Sequence, residues 1–460
     1  MEDNSTTPME MRLSEVPGMP SPELELTYTT AIPMNGSTFT ENQEVRIGLN
    51  VPQDCFVDLK RAYLKYKLNN TGQGGAYLDP VIGGVSVIDN WRVIGGTGAL
   101  LEEVIHYNTF YALMNSYKNK EVVATLHHQM EGAGRNPGIG LKVNASNANA
   151  DFGGGVTNIT NGQSRVITHR PQSAFFNADR YMPLGFTQGL TYLSLTLAQN
   201  GTAMILTTED EAKTNSYSIS EVELHLPILK PGIEFASMFR SAMSSGVPIQ
   251  IHSVGVQNTQ QAMPTGATGE QTLTFSTRKR SVKSLINVLR PSANLTLDER
   301  NSVSGFVNAN TTEYNFSVGG MRIPAQRIKV QTNINGRDTG ELLANTQLAL
   351  GHYSSDLRGT CAIQDLADMS GGGFSTYLKD NEKANAGLYG KAVFALDLES
   401  YNSAFAGKNL AGQGLPLVYH AQVESTKGAQ GNGALLLDLY VIHDIVFVLD
   451  GTTGVITANS

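Results

Sequence analysis

The chain has 460 residues, too many for one ordinary hydrophobic core, so two domains are the natural expectation. Only 16% of the residues are charged and the net charge is −8, which argues against a protein that holds nucleic acid by bulk electrostatics. Cys55 and Cys361, one in each half, are the only cysteines, which excludes a disulfide framework and favours a reducing compartment.

Residues 1–27 carry Pro17, Pro20 and Pro22 and little apolar content, and they read as an extended arm. Its acidic residues outnumber Arg12, unlike a basic genome-binding arm. The stretch lacks the apolar core of a signal peptide. No run approaches the ~18 apolar residues of a membrane span. Asn-X-Ser/Thr triplets at Asn69, Asn158, Asn200 and Asn294 read as loop composition.

Strands are expected at 44–51 and 56–68, the second with its apolar face changing sides near Lys60, as at a bulge. Another is expected at 85–94, holding Trp91, the only tryptophan. Gly95, Gly96 and Gly98 then turn the chain into a helix predicted at about 102–118, with Glu102 and Glu103 in its first turn and Lys118 in its last. Val104, Tyr107, Tyr111 and Met114 form its stripe. Residues 131–165 have no period and are rich in Gly and Asn, so they read as a long surface loop. Strands resume near 190–198, 203–207 and 217–228.

The middle of the chain is the most informative. Val222, Leu224, Leu226 and Ile228 alternate with polar residues up to Pro231-Gly232. From 233 to 244 the period lengthens, with Phe235, Met238, Phe239 and Ala242 three or four apart, which predicts a short amphipathic helix. Gly246 closes it and Pro248 forbids its extension. Alternation restarts at Val247, with a bulge expected near Ser253. Strand, helix, strand, with β signals on both sides, predicts a hinge between two β domains.

The second half repeats the plan. Strands are expected at 247–257, 271–290, 312–318 and 326–332, then a helix at about 340–350 capped by Asp338 or Thr339. A Gly/Ser-rich loop spans 352–388, and strands follow at 391–398, 416–424 and 434–449. The fold class is therefore all-β: about eight antiparallel strands per half with long connections, two tandem jelly rolls with short helices. The divisions are an arm at 1–39, a first roll at 40–230, a hinge helix at 231–246, and a second roll with its tail at 247–460.

No catalytic, cofactor or metal site emerges. His127-His128 read as surface histidines, because neighbours on a regular element point apart. His225, His252, His420 and His443 stand alone, which argues against a metal-binding cupin. Asp438 and Asp444 share one parity and read as a solvated face. GGTGAL at 95–100 lacks the third glycine of a dinucleotide loop, and no G-x-S-x-G elbow occurs. Arg278-Lys279-Arg280, with Lys283 and Arg290, reads as a charged strand end.

The layout resembles the double jelly-roll major capsid proteins of double-stranded DNA viruses, in character nearest to those of virophages and polinton-like viruses. The resemblance rests on the order of elements across residues 40–455, the Pro-Gly-helix hinge at 231–246, and the closing strand ending in D-G-T-T-G at 450–454. It implies a virion protein without enzymatic activity or cofactor, assembled inside the host cell. It also implies a homotrimer whose six jelly rolls form a pseudo-hexagonal capsomer of an icosahedral shell. Implied partners are neighbouring capsomers and minor capsid proteins of penton or cement type, with an internal membrane as an optional further one and no strong direct nucleic-acid binding. The competing expectation is a carbohydrate-binding or adhesive β-sandwich, which requires an exposed aromatic cluster.

Overall fold

The computed structural model describes residues 24–460 except 74, 80, 119–121, 123–125, 134–157, 160, 207–214, 264–267, 292–302, 307, 309–310, 331–339, 354–391, 401–404, 412–415 and 424–434. The first 23 residues of the arm, most of the 131–165 loop, nearly all of the 352–388 loop, Cys361 and the proposed caps Asp338 and Thr339 lie outside the described residues.

The first half contains β1 (Leu24–Ala31), β2 (Glu44–Gly48), β3 (Tyr63–Asn70), β4 (Ile88–Ile94), β5 (Leu100–Val104), β6 (Ser164–His169), β7 (Tyr192–Leu197) and β8 (Tyr217–Pro231). They form two antiparallel sheets, in the orders β1-β8-β3-β6 and β2-β7-β4-β5. The second half contains β9 (Ile249–Met263), β10 (Gly269–Phe275), β11 (Val282–Pro291), β12 (Thr311–Val318), β13 (Met321–Lys329), β14 (Val393–Asp397), β15 (Leu417–Val423) and β16 (Leu435–Leu449). Their orders are β9-β16-β11-β14 and β10-β15-β12-β13. Counting the strands of five residues or more from the start of each half, both halves have the orders 1-8-3-6 and 2-7-4-5, and the first half adds a small sheet of the two-residue strands Ile205–Leu206, Ala76–Tyr77 and Asn158–Ile159. Each is a jelly roll, and the fold is a double jelly roll. A final strand, β17 (Ile456–Asn459), returns along the end of β16.

The helices repeat as well. α1 (Tyr107–Ser116) lies between the fifth and sixth strands of the first roll, and α3 (Gly340–Gly351) between the fifth and sixth strands of the second. Between the rolls, α2 (Ile233–Ser244) occupies the span expected of the hinge helix. Its buried stripe is Phe235, Ala236, Phe239 and Met243, while Met238 is exposed. The stripe is rotated from the one read in the sequence because Phe235 and Phe239 dock on Phe56, at 6.2 and 5.0 Å between ring centroids. Gly246, at φ +80°, ends the helix in the left-handed region that costs glycine no Cβ clash.

Several expectations are corrected. Leu24–Ala31, read as part of the arm, is β1, paired residue for residue with Ala31↔Leu224 through Leu24↔Pro231. Its exposure on both faces left no alternation for the sequence to show. The helix expected from 102 begins only at Tyr107; Leu100–Val104 is instead a strand hairpinned to β4, with Trp91 opposite Val104. Glu102 is therefore not a dipole partner of a helix. Near Lys60 the change of face is made by a short 3₁₀ turn, Leu59–Arg61, rather than by a bulge. No bulge occurs at Ser253, where β9 pairs with β16 in unbroken register from Ile249↔Leu449 to Met263↔Leu435. The charge break expected within 271–290 separates β10 from β11. Pro324 lies in the edge strand β13, within the register shift opposite Tyr314–Phe316, where a missing ladder N–H is tolerated.

Candidate functional site

Of the histidines expected on the surface or alone, His127 and His443 are buried and His128, His225, His252 and His420 are half-buried, each with a hydrogen-bond partner. His127 is buried, and its Nδ1 is 2.8 Å from Glu131 Oε2. Glu131 is fully buried; its other oxygen accepts from Tyr111 Oη at 2.7 Å and from His169 Nδ1 at 2.9 Å. Nε2 of His169 meets Tyr107 Oη at 2.7 Å, and that oxygen accepts the N–H of Gln172 at 2.8 Å. Burial alone would raise the Glu131 carboxyl, yet the hydrogen bonds from His127 and His169 hold it at about 2. Burial pushes His169 down. The cluster is a satisfied carboxylate joining α1, the turn at 128–131 and β6. The i,i+4 pairs Tyr107/Tyr111 and His127/Glu131 were the available sequence signal, and it was missed.

Glu102 serves a similar purpose. Its carboxylate accepts from Ser173 Oγ and from the backbone N–H groups of Ala174 and Phe175. Burial raises its pKa against those bonds.

Asp438 and Asp444, read as a solvated face, are both buried. Asp438 pairs with buried Arg290 at 2.7 Å and accepts from Gln260 at 2.9 Å. Asp444 lies at the contact between the rolls, where His252 bridges it, at 2.7 Å, to Asp179 of the first roll, at 3.0 Å. Ser281 Oγ and the N–H of Phe405 also donate to Asp444, and Lys283 Nζ is 3.6 Å away. His252 therefore does not stand alone: its bonds to Asp179 and Asp444 raise its pKa to about 9.

The sign follows from linkage. A histidine raised from 6.5 to about 9 adds stability that is fully present below pH 6.5 and is lost as pH rises through 9. The thermal midpoint should therefore fall between pH 6.5 and 9.5 in the native chain, and fall less in His252→Gln. Equal slopes in the two proteins would refute this role.

His443 is driven down to about 4 by burial, with its Nδ1 3.0 Å from the Asp444 carbonyl. His225 stacks on Tyr63 at 4.5 Å, and His420 meets Ser317 Oγ at 3.0 Å. Among the described residues, no group of three His, Cys, Asp or Glu side chains is arranged to hold a metal ion. Cys55 is buried and its thiol is pushed up by burial, the opposite of nucleophile activation.

Gly95, Gly96 and Gly98 form the β4–β5 turn, where a Cβ on Gly96 would lie 2.3 Å from the Gln188 carbonyl oxygen. Close backbone approach, not phosphate, requires that glycine. The basic run does not make one patch: Arg278 and Arg280 are exposed, Lys279 binds Ser460, and Lys283 and Arg290 are buried in ion pairs. Trp91 is fully buried against Tyr107 and Phe176, so it offers no sugar platform. No described helix is long and apolar enough to cross a membrane.

The remaining sites are surfaces. In β16, Leu437, Leu439 and Val441 fill the second roll's core, while Tyr440 and Ile442 turn outward to the first roll. There Tyr440 meets Phe110 of α1 at 5.5 Å, and Phe447 meets Phe175 at 5.4 Å. Ser253 Oγ donates to the Ala174 carbonyl, and the N–H of Asp179 to the His252 carbonyl. The second roll thus presses the outer face of one sheet onto α1 and the 174–179 segment of the first.

Neither a family model nor a curated protein sequence matches this chain. Solved structures do match its fold over nearly its whole length. A chain of the PBCV-1 virus capsid aligns at TM-score 0.56 and 11% identity, covering 97% of this chain and 100% of that one. A chain of the Sputnik virophage aligns at TM-score 0.55 and 13% identity, covering 98% and 91%. The Faustovirus major capsid protein aligns at TM-score 0.56 and 9% identity, covering 96% and 92%.

Proposed function

We propose that this chain is a major capsid protein, a structural rather than catalytic component of an icosahedral virion. The observation that carries the reading is the repeated strand order of the two rolls, joined in sequence by α2 and matched end to end by viral capsid chains. Two copies of one roll per chain let three chains present six similar wedges, so a trimer can tile a hexagonal lattice. The hinge at 231–246 is the natural division between the two units. Many low-charge polar contacts suit a shell, since like copies must approach without strong repulsion. Neighbouring capsomers and minor capsid proteins are the expected partners.

Light scattering of the purified chain at micromolar concentration should give three times the monomer mass, and micrographs should show particles of hexagonal outline. A stable monomer with no larger species would remove the reading.

A further inference from the structure

Two buried histidines flank the contact between the rolls, and the hydrogen bonds around each fit the neutral ring. His169 ends β6, just ahead of the segment that meets the second roll. Its Nδ1 donates to Glu131 Oε1 at 2.9 Å. The oxygen of Tyr107 already accepts the Gln172 N–H, so its own hydrogen points to His169 Nε2, 2.7 Å away. A second proton on the ring sets two hydrogens in that gap and turns the buried hydroxyl away from its acceptor. His443, on β16, is placed alike in the second roll. Its Nδ1 donates to the Asp444 carbonyl at 3.0 Å, so Nε2 carries the lone pair. Nε2 lies over Gly255, where an added Cβ would be 3.4 Å away.

The groups facing His169 are Glu131 and His127 of the turn, Tyr107 and Tyr111 of α1, and Lys118 beyond it. Those facing His443 are Asp444, Lys279 and, across the small cavity between the rolls, Glu102 and Glu103 of β5. The contact begins three residues past His169. There the N–H groups of Gln172, of Ala174 and Phe175, and of Asp179 donate to Tyr107, Glu102 and the His252 carbonyl in turn.

We infer that His169 and His443 form an acid-operated release of the second roll from the first: the rings take up protons only when this contact opens, so acid favours the open form. The release belongs to the single chain. On the capsid reading it gives a shell a trigger that stays shut at neutral pH.

Burial holds His443 at about 4 in the closed form, against 6.5 when free, and lowers His169 as well. Stability from these rings is complete above pH 6.5 and is lost as pH falls below it. From pH 7 to pH 5, His443 alone shifts the balance toward opening by about twentyfold. His252 opposes this at the same contact. Held at about 9, it is charged throughout the range, so its opposition grows only about fourfold. Glu102, raised by burial against three donated hydrogen bonds, opposes in the same sense.

The test is amide exchange in the full chain at pH 7 and pH 5, corrected for the intrinsic pH dependence of exchange. The amides of Gln172, Ala174, Phe175 and Asp179 should quicken about fivefold or more, while those of β12 hold their rates. The double variant His169→Asn, His443→Asn keeps a donor near each Nδ1 and cannot take a proton. Its contact amides should slow toward pH 5, because only the opposing groups remain. A parent that does not quicken, a double variant that quickens equally, or a β12 that quickens in step overturns the release. If the double variant does not fold, His252→Gln decides. Without the opposing charge the quickening should grow about fourfold, and an unchanged response overturns the release. No readout depends on trimer formation, so the capsid reading stands or falls separately.

Discussion

Replacing Arg290 by methionine should destabilise the chain by about 3–5 kcal/mol, because it leaves Asp438 buried with its charge uncompensated. The two residues face each other across β11 and β16, on the outer side of the second roll's sheet, at 2.7 Å. Both are almost entirely removed from water. Gln260 supplies one neutral hydrogen bond to Asp438 and cannot replace a guanidinium. The double variant Arg290→Met, Asp438→Leu should recover most of the loss, since two well-packed apolar groups avoid the desolvation of two charges. Equilibrium urea unfolding measures both. A single variant costing under about 1 kcal/mol, or a double variant no better than the single, would show that the pair is not buried as described.

Glu131→Leu should be comparably severe, and it tests the first roll. It strips Tyr111, His127 and His169 of their common acceptor, and each unmade buried bond costs roughly 1–3 kcal/mol. The same residue predicts acid behaviour. Its folded pKa, about 2, is below its ordinary 4.5, so its stabilisation is complete above pH 4.5 and is lost as pH falls through 2. A shift of that size corresponds to on the order of 3 kcal/mol. Glu131→Gln removes the titrating group, so stability should fall less steeply between pH 4.5 and 2 than in the parent. Parallel acid profiles would contradict the assignment.

The competing carbohydrate-binding expectation has no support in the geometry, because Trp91 is spent on core packing between β4, α1 and Phe176. A small pocket of about 220 Å³ between the rolls, lined in part by Glu102, Gln257 and His443, belongs to the internal contact rather than to a ligand.

Much of the architecture was legible because jelly-roll strands are amphipathic. Leu64, Tyr66 and Leu68 alternate with Lys65 and Lys67, and the alternation is itself the record of one face in a core and one outside. The hinge helix was legible for the same reason at a different period, with Pro231, Gly246 and Pro248 marking its limits. The repeated order of strands and helices in the two halves could be read without any shared sequence. These are local signals, set within a dozen residues by the geometry of the backbone.

What the sequence could not decide depended on partners far along the chain. Asp438 and Arg290 are 148 positions apart, and His252 and Asp444 are 192 apart, so nothing nearby distinguishes a buried, paired aspartate from a solvated one. Val104 continues the spacing of Tyr107 and Tyr111, so periodicity alone predicts a helix from about 102; only the ladder to Trp91 resolves the strand. β1 was lost because a strand exposed on both faces has no pattern, and it exists through its pairing with β8. Local periodicity therefore determined which segments are strands and helices, while tertiary structure alone decided which charges are buried and which sheet faces are covered, because burial is a property of what a side chain meets in space.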